Sequence, residues 1–211
     1  MSISLPISIG EGVDKLSILY IKKSKIKDDR LLNIEKEYDL LYEKLKFYIT
    51  KYDKLYKSMI NINMLIWDQM NTIRNYEENP IKYGEICKDC LNNNDIRFRI
   101  KKKINNITNS ILKEEKGYNI KRVIIQIINL KFNNSTILLN ILEYLSLIFD
   151  EVIINSDNIN YFKRELNYDC TIIFNKTCKE YEKKYIIDEC NGEDELYQIL
   201  ECRQEEINKL I

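Results

Sequence analysis

The sequence predicts an α+β protein: an N-terminal helical domain over residues 1–118 with a long antiparallel hairpin, then a small β-α-β-α-β parallel-sheet unit over 119–211 that ends in a helix. Three observations predict it. Between Leu31 and Tyr76, thirteen of fourteen positions at alternating spacings of three and four are apolar or aromatic, Gln69 being the exception, and no Gly or Pro interrupts them. A stripe of that length marks helices that bury one seam. After Gly117 the texture changes to short β-branched runs, the mark of strands buried on both faces. The charge changes with it: 22 basic and 17 acidic residues up to 118, 11 and 16 beyond, so the halves carry +5 and −5. That asymmetry fits two modules that dock electrostatically, or a basic half that meets an acidic protein partner.

The elements follow in order. Pro6 pushes Leu5 out of the helical region, so Ser2 to Ile7 reads as an extended lead-in. Ser8 and Glu11 match a capping box, in which the hydroxyl and the carboxylate each satisfy an orphan amide. A first helix starts there, burying Val13, Leu16, Leu19, Tyr20 and Ile21 and ending in the Lys-rich stretch Lys25 to Asp28. Asp28 or Asp29 caps the striped segment. As one helix it would be about 70 Å long; a weaker capping box from Thr50 to Asp53 suggests a break that folds Leu31 to Ile49 back on Leu55 to Tyr76. Pro80 then opens a short helix that reaches the Asn92 to Asn94 cluster, and Asp95 caps another with Ile96, Ile100, Ile104, Ile107 and Ile111 on one face. Gly117 is its expected terminator. Beyond it come strands at Arg122 to Ile128, Val152 to Ile154 and Cys170 to Phe174, with a possible short one at Tyr185 to Ile187. Helices fall at Ile137 to Phe149, behind Ser135 or Thr136, at Asn158 to Leu166 and from about Glu193 to Leu210.

Composition narrows the chemistry. The chain has neither Ala nor His, while Asn, Ile, Lys and Tyr abound, as in an AT-rich cellular genome or that of a large DNA virus. Without His, the usual neutral-pH general base and commonest zinc ligand is missing. The first residues lack a basic n-region and a long apolar core, and Ile137 to Phe149 is too short to span a bilayer, so the expectation is a soluble intracellular chain without a membrane span, cytoplasmic or inside a host cell. The six cysteines then read as reduced thiols.

The run Ile7-Ser-Ile-Gly-Glu-Gly-Val-Asp-Lys-Leu-Ser-Ile-Leu-Tyr-Ile-Lys22 resembles the opening of the DUF6165 family of uncharacterised proteins. Leu65-Ile-Trp-Asp68 with Ile73 and Arg74, Asn94-Asp95 with Arg97 ahead of Ile104-Asn105, and Glu114-Glu-Lys116 with Tyr118 agree with it in order, over residues 7 to 118. The resemblance implies a helical domain and a turn near Tyr48 to Asp53, which favours the hairpin over the rod. It implies no activity.

Five groups of residues are candidates for function. Glu11, Asp14 and Lys15, with Asp95 and Arg97, would bind a polar ligand at the first helix start if they converge, and serve only as caps and surface ion pairs if they disperse. Arg97, Arg99, Lys101, Lys102 and Lys103 would bind nucleic acid if they shared one accessible face; on a helix they spread around the circumference, and a solvated surface is the plainer reading. Cys87 and Cys90 lack further ligands for zinc and sit inside a helical module, so they read as half-buried thiols, and nothing asks for a metal or cofactor. Trp67 and Asp68, with Arg74, read as a ring packed on the seam beside an ion pair. In the sheet unit, ligands belong at the carboxyl ends of the strands: Asn133 to Thr136, Asn155 to Asp157, Asn175 and Lys176. Amides near Ser135 and Thr136 could hold a phosphate and Asp157 a ribose hydroxyl, as for a nucleotide-linked sugar, but the glycine fingerprint is missing. The sequence therefore points first to a helical scaffold or interaction module, with a phosphorylated-ligand enzyme or accessory subunit as the alternative and nucleic-acid binding third.

Overall fold

A computed structural model of the chain describes residues 4–75, 79–117, 120–128, 135–166, 169, 171–175 and 184–187. They form two compact units that divide between Glu115 and Lys116, the first helical and the second α/β. The expected C-terminal helix, Tyr76, Tyr118, Asn133, Lys176 and Cys170, Cys178, Cys190 and Cys202 lie outside the described residues.

The helical unit contains α1 (Ile9–Lys25), α2 (Arg30–Lys51), α3 (Asp53–Asn75) and α4 (Pro80–Ile107). Ser8 is extended and its hydroxyl accepts from the Glu11 amide, which starts α1 as expected. Between α1 and α2 the cap is Asp28 rather than Asp29: its carboxylate accepts the Arg30 amide at 3.0 Å and the Arg30 guanidinium at 2.6–3.1 Å. Those Arg30 hydrogen bonds hold the Asp28 carboxyl down at about 2. The seam breaks at Tyr52, with φ −117° and ψ 45°, close to the expected Thr50. Every described member of the stripe is buried or half-buried, so the periodicity located one face correctly. Its principal partner is different from the expected one. α2 packs mainly on α1, α3 on α4 and then on α1, and α2 and α3 meet each other far less.

α1 is therefore a central helix, in contact with all three others. Val13, Leu16, Leu19 and Ile21 are buried as expected, but so are Gly10, Gly12, Asp14 and Ser17, while Tyr20 faces solvent. A helix enclosed on several sides cannot be read from a single apolar face.

The span Pro80–Ile107 is one helix of 28 residues, not two. The Asn79 side chain caps it, accepting from the Ile81 and Lys82 amides, with Pro80 in the first turn. Asp95 thus lies in mid-helix. Asn-rich residues 92–94 are poor helix formers, but packing of α4 on α3 overrides them, as where Asn93 donates to Gln69 at 3.0 Å. α4 ends ten residues before Gly117. Asn109 takes the left-handed position, φ 50°, while the Ser110 amide bonds to the Asn105 carbonyl and the Asn109 amide to that of Asn106. That is the Schellman pattern with Asn in place of Gly.

The α/β unit is built from β1 (Arg122–Ile127), α5 (Ser135–Ile148), β2 (Glu151–Ser156), α6 (Ile159–Leu166), β3 (Ile172–Phe174) and β4 (Lys184–Ile187). All strand pairs are parallel and the order is β3-β2-β1-β4, with Ile124 beside Ile153 on one side and Lys184 on the other. Val123, Ile125, Ile127, Val152, Ile154 and Ile172 form one core with α5 and α6, so both helices cover the same face and the two crossovers have one hand. Ile124 and Ile153 are buried on the opposite face. The short Tyr185 to Ile187 segment is thus a full member of the sheet, on the far side of β1.

Candidate functional site

The densest polar constellation among the described residues surrounds the start of α1. Asp14, one turn in, is 1% exposed. Its Oδ1 accepts from Arg97 Nε at 2.9 Å and from Asn63 Nδ2 at 2.8 Å, and its Oδ2 accepts from Arg97 Nη2 at 2.7 Å. Asn63 also donates to the Ser17 hydroxyl at 2.7 Å. Three helices thus meet on one carboxylate. The bidentate fork is the geometry in which an Arg–carboxylate pair is strongest. Burial alone would lower the Arg97 guanidinium, but the Asp14 hydrogen bonds and charge outweigh it and hold it above its usual value.

One turn further along α4, Lys101 meets two carboxylates. Its Nζ donates to Glu11 at 3.1 Å and pairs with Glu114, which follows α4. The Lys101 side chain is only 10% exposed. Burial pulls its ammonium down, and the two glutamates more than reverse the effect, so it titrates above the usual lysine value. Glu11 does not complete the capping box with its carboxylate, because that group turns to Lys101.

The backbone is engaged as fully as the side chains. The Ile9 amide donates to the Ser110 hydroxyl at 3.2 Å, the Gly10 amide to Asn105 Oδ1 at 2.7 Å, and the Glu11 amide to the Ser8 hydroxyl at 3.1 Å. These are the first-turn donors that a helix leaves unsatisfied and that an anion would otherwise use. Gly10 makes the arrangement possible: a Cβ there would stand 2.6 Å from the Lys101 carbonyl oxygen and 2.8 Å from Asn105 Oδ1. No protein-family model, curated protein or solved structure matches the chain.

Of the residues proposed from sequence, Glu11, Asp14 and Arg97 converge. Lys15 does not; it pairs with Glu37 at 2.6 Å, both side chains about half exposed. Asp95, half-buried, leaves α4 two residues before Arg97, about 200° around the helix. The solvated reading of the basic cluster is corrected: Arg99, Lys101 and Lys103 are buried and Arg97 half-buried, leaving Lys102 exposed. Asn63, Asn105 and Ser110 were missed as partners of α1, and Glu114 as a partner of Lys101. A signal existed in Arg97, Lys101 and Asn105, which recur every fourth residue beside the Ile96, Ile100 and Ile104 row.

Elsewhere the candidates are less connected. Asp68 pairs with Lys25 at 3.8 Å rather than with Arg74, which is exposed, and Trp67 is half-buried. Cys87 and Cys90 are free, half-buried thiols, and burial, with Cys87 adjacent, pushes the Cys90 thiol up, away from a reactive thiolate. Ser135 and Thr136 form the first turn of α5, and their side chains lie outside the described set. Asp157 is exposed just after β2, where the Ser156 hydroxyl accepts from the Asn158 amide at 3.1 Å.

Proposed function

We propose that the chain is a helical scaffold or interaction module with a degenerate α/β unit attached. One observation carries this reading. Each group gathered at the start of α1, charged side chain or amide donor, already has a partner within the chain. A site for a polar ligand would keep donors or a charge in reserve. The cluster instead behaves as a latch that fastens α1 to α3, α4 and the segment after α4. In this reading α2 and α3 are the arms of an antiparallel hairpin with α1 lodged between them. Asp14 meeting Asn63 and Lys25 meeting Asp68 support a common direction for α1 and α3, and Gly12 against Leu45 with Lys23 over Tyr38 supports the opposite one for α2.

The residues that carry the resemblance to the DUF6165 family include Gly10, Glu11, Asp14, Arg97, Asn105 and Glu114. All six belong to the latch, which supports placing the helical unit with that family. No helix among the described residues is long and apolar enough to cross a membrane, in keeping with an intracellular place of action, in the cytoplasm or a host cell.

A second reading rests on the strand order. With β2 and β4 on opposite sides of β1, the sheet has a switch point at the carboxyl ends of β1 and β4, where ligands of open α/β sheets bind. This favours a phosphorylated or nucleotide-linked ligand as the alternative. A thermal-shift screen with nucleotides, nucleotide sugars and inorganic phosphate separates the two. The scaffold reading expects no rise in Tm at millimolar ligand; a saturable rise of several degrees transfers the function to the sheet.

A further inference from the structure

The outer face of α2 carries an apolar row that no other described residue of the helical unit covers. Leu32, Leu40 and Phe47 are 72%, 63% and 65% exposed. They recur at intervals of eight and seven residues, so at 100° per residue they fall within one 80° sector. That sector lies opposite the seam formed by Ile34, Leu45 and Ile49, which are buried. Lys36 and Glu43 occupy the same sector, between the apolar residues, and both are exposed. The helix therefore has a second seam, Leu32-Lys36-Leu40-Glu43-Phe47, at the three-and-four spacing of a helix that meets another helix.

We propose that this face is a self-association surface, on which α2 of a second copy of the chain packs antiparallel across a two-fold axis near Asp39 and Leu40. The proposal rests on the scaffold reading and names the partner. Charge complementarity selects both occupant and direction. In the antiparallel arrangement Leu32 of each copy meets Phe47 of the other, and each Lys36 meets the other copy's Glu43, so the surface is its own complement, as an isologous dimer requires. A parallel arrangement would set Lys36 against Lys36 and Glu43 against Glu43, which is unfavourable. Glu43 is held meanwhile by Lys46 of its own helix at 2.7 Å, an exposed pair that can rearrange readily. Asp39 stays at the rim, beside Leu40. Three apolar side chains from each copy and two symmetric ion pairs make a small interface, so the dimer forms and dissociates with concentration rather than persisting as an obligate unit.

The test is sedimentation of the full chain over a wide concentration range, at low and moderate salt. The wild type should pass reversibly from monomer to dimer. Leu40→Lys should abolish the dimer. Lys36→Glu and Glu43→Lys should each weaken it about tenfold, since each substitution converts two attractive pairs into two repulsive ones. The double variant Lys36→Glu/Glu43→Lys should return to within about threefold of the wild type. All these positions face solvent, so unchanged circular dichroism and Tm keep folding out of the comparison. A wild type monomeric throughout, or a charge exchange that fails to restore a dimer lost in both single variants, overturns the proposal. The scaffold reading fails separately, on a ligand-induced rise in Tm in the thermal-shift screen.

Discussion

Substitution of Gly10 by Ala should destabilise the helical unit, although the same exchange in an open helix does the opposite. Ala is normally favoured over Gly in a helix interior by about 1 kcal/mol. At Gly10 the added methyl would stand 2.6 Å from the Lys101 carbonyl oxygen and 2.8 Å from Asn105 Oδ1. The first obstacle is main chain of a buried turn and cannot swing aside, so α1 and α4 must separate. Overpacking of this kind costs about 1–3 kcal/mol. Separation also breaks the 2.7 Å bond from the Gly10 amide to Asn105, leaving a buried donor and acceptor unsatisfied at about 1–3 kcal/mol. After the helix-propensity gain, the net loss is about 1–5 kcal/mol. Gly84, in α4 with nothing within 4 Å of a built Cβ, is the control, and Gly84→Ala should stabilise by about 0.5–1 kcal/mol. Urea unfolding followed by helical circular dichroism reads both, as opposite shifts in midpoint at constant m. A Gly10→Ala variant as stable as the wild type would refute the close approach of α1 to α4.

Two further predictions concern the charges. Asp14→Ala should cost about 3–5 kcal/mol in the same urea titration, because it strands Arg97 and Asn63 against a buried site. Lys15→Ala, one residue along but half exposed on Glu37, should change stability by less than about 0.5 kcal/mol; equal effects would argue against the latch. Lys101 has a folded-state pKa above its ordinary 10.5, so its contribution is complete below that value and is lost as pH rises through the higher folded one. The stability difference between wild type and Lys101→Met should therefore be flat through neutral pH and shrink only above about pH 10.5. A difference that shrinks instead between pH 6 and 9 would contradict the double glutamate clasp.

Much of the fold was legible because it is written in local patterns. The seam, the cap at Ser8, Pro80 at the opening of α4, and β1 with its β-branched run depend on residues a few positions apart. What was not legible depends on distant partners. Asp95 reads as a cap until packing on α3 carries the helix through it. Lys101 and Arg97 read as surface charge, because only the fold brings Glu11, Asp14 and Glu114, which lie some 13 to 90 residues away, onto them. The candidate site was half visible for the same reason: Glu11, Asp14 and Arg97 stood out as charges, whereas Asn63, Asn105 and Ser110 are uncharged and act by reach.

The order β3-β2-β1-β4 also sets a sequence of events on the ribosome. The helical unit has all its latch residues once Glu114 has emerged. β1 can pair with β2 soon afterwards, but its other edge waits for Lys184 to Ile187, some sixty residues later. At about 5–20 residues per second that edge stays open for about 3–12 seconds. It is a strand of isoleucine and valine with unpaired backbone groups, the kind of template that recruits a stray chain. The vulnerable moment of this protein is thus its synthesis, and slowing translation through the second half should cost more yield than slowing it through the first.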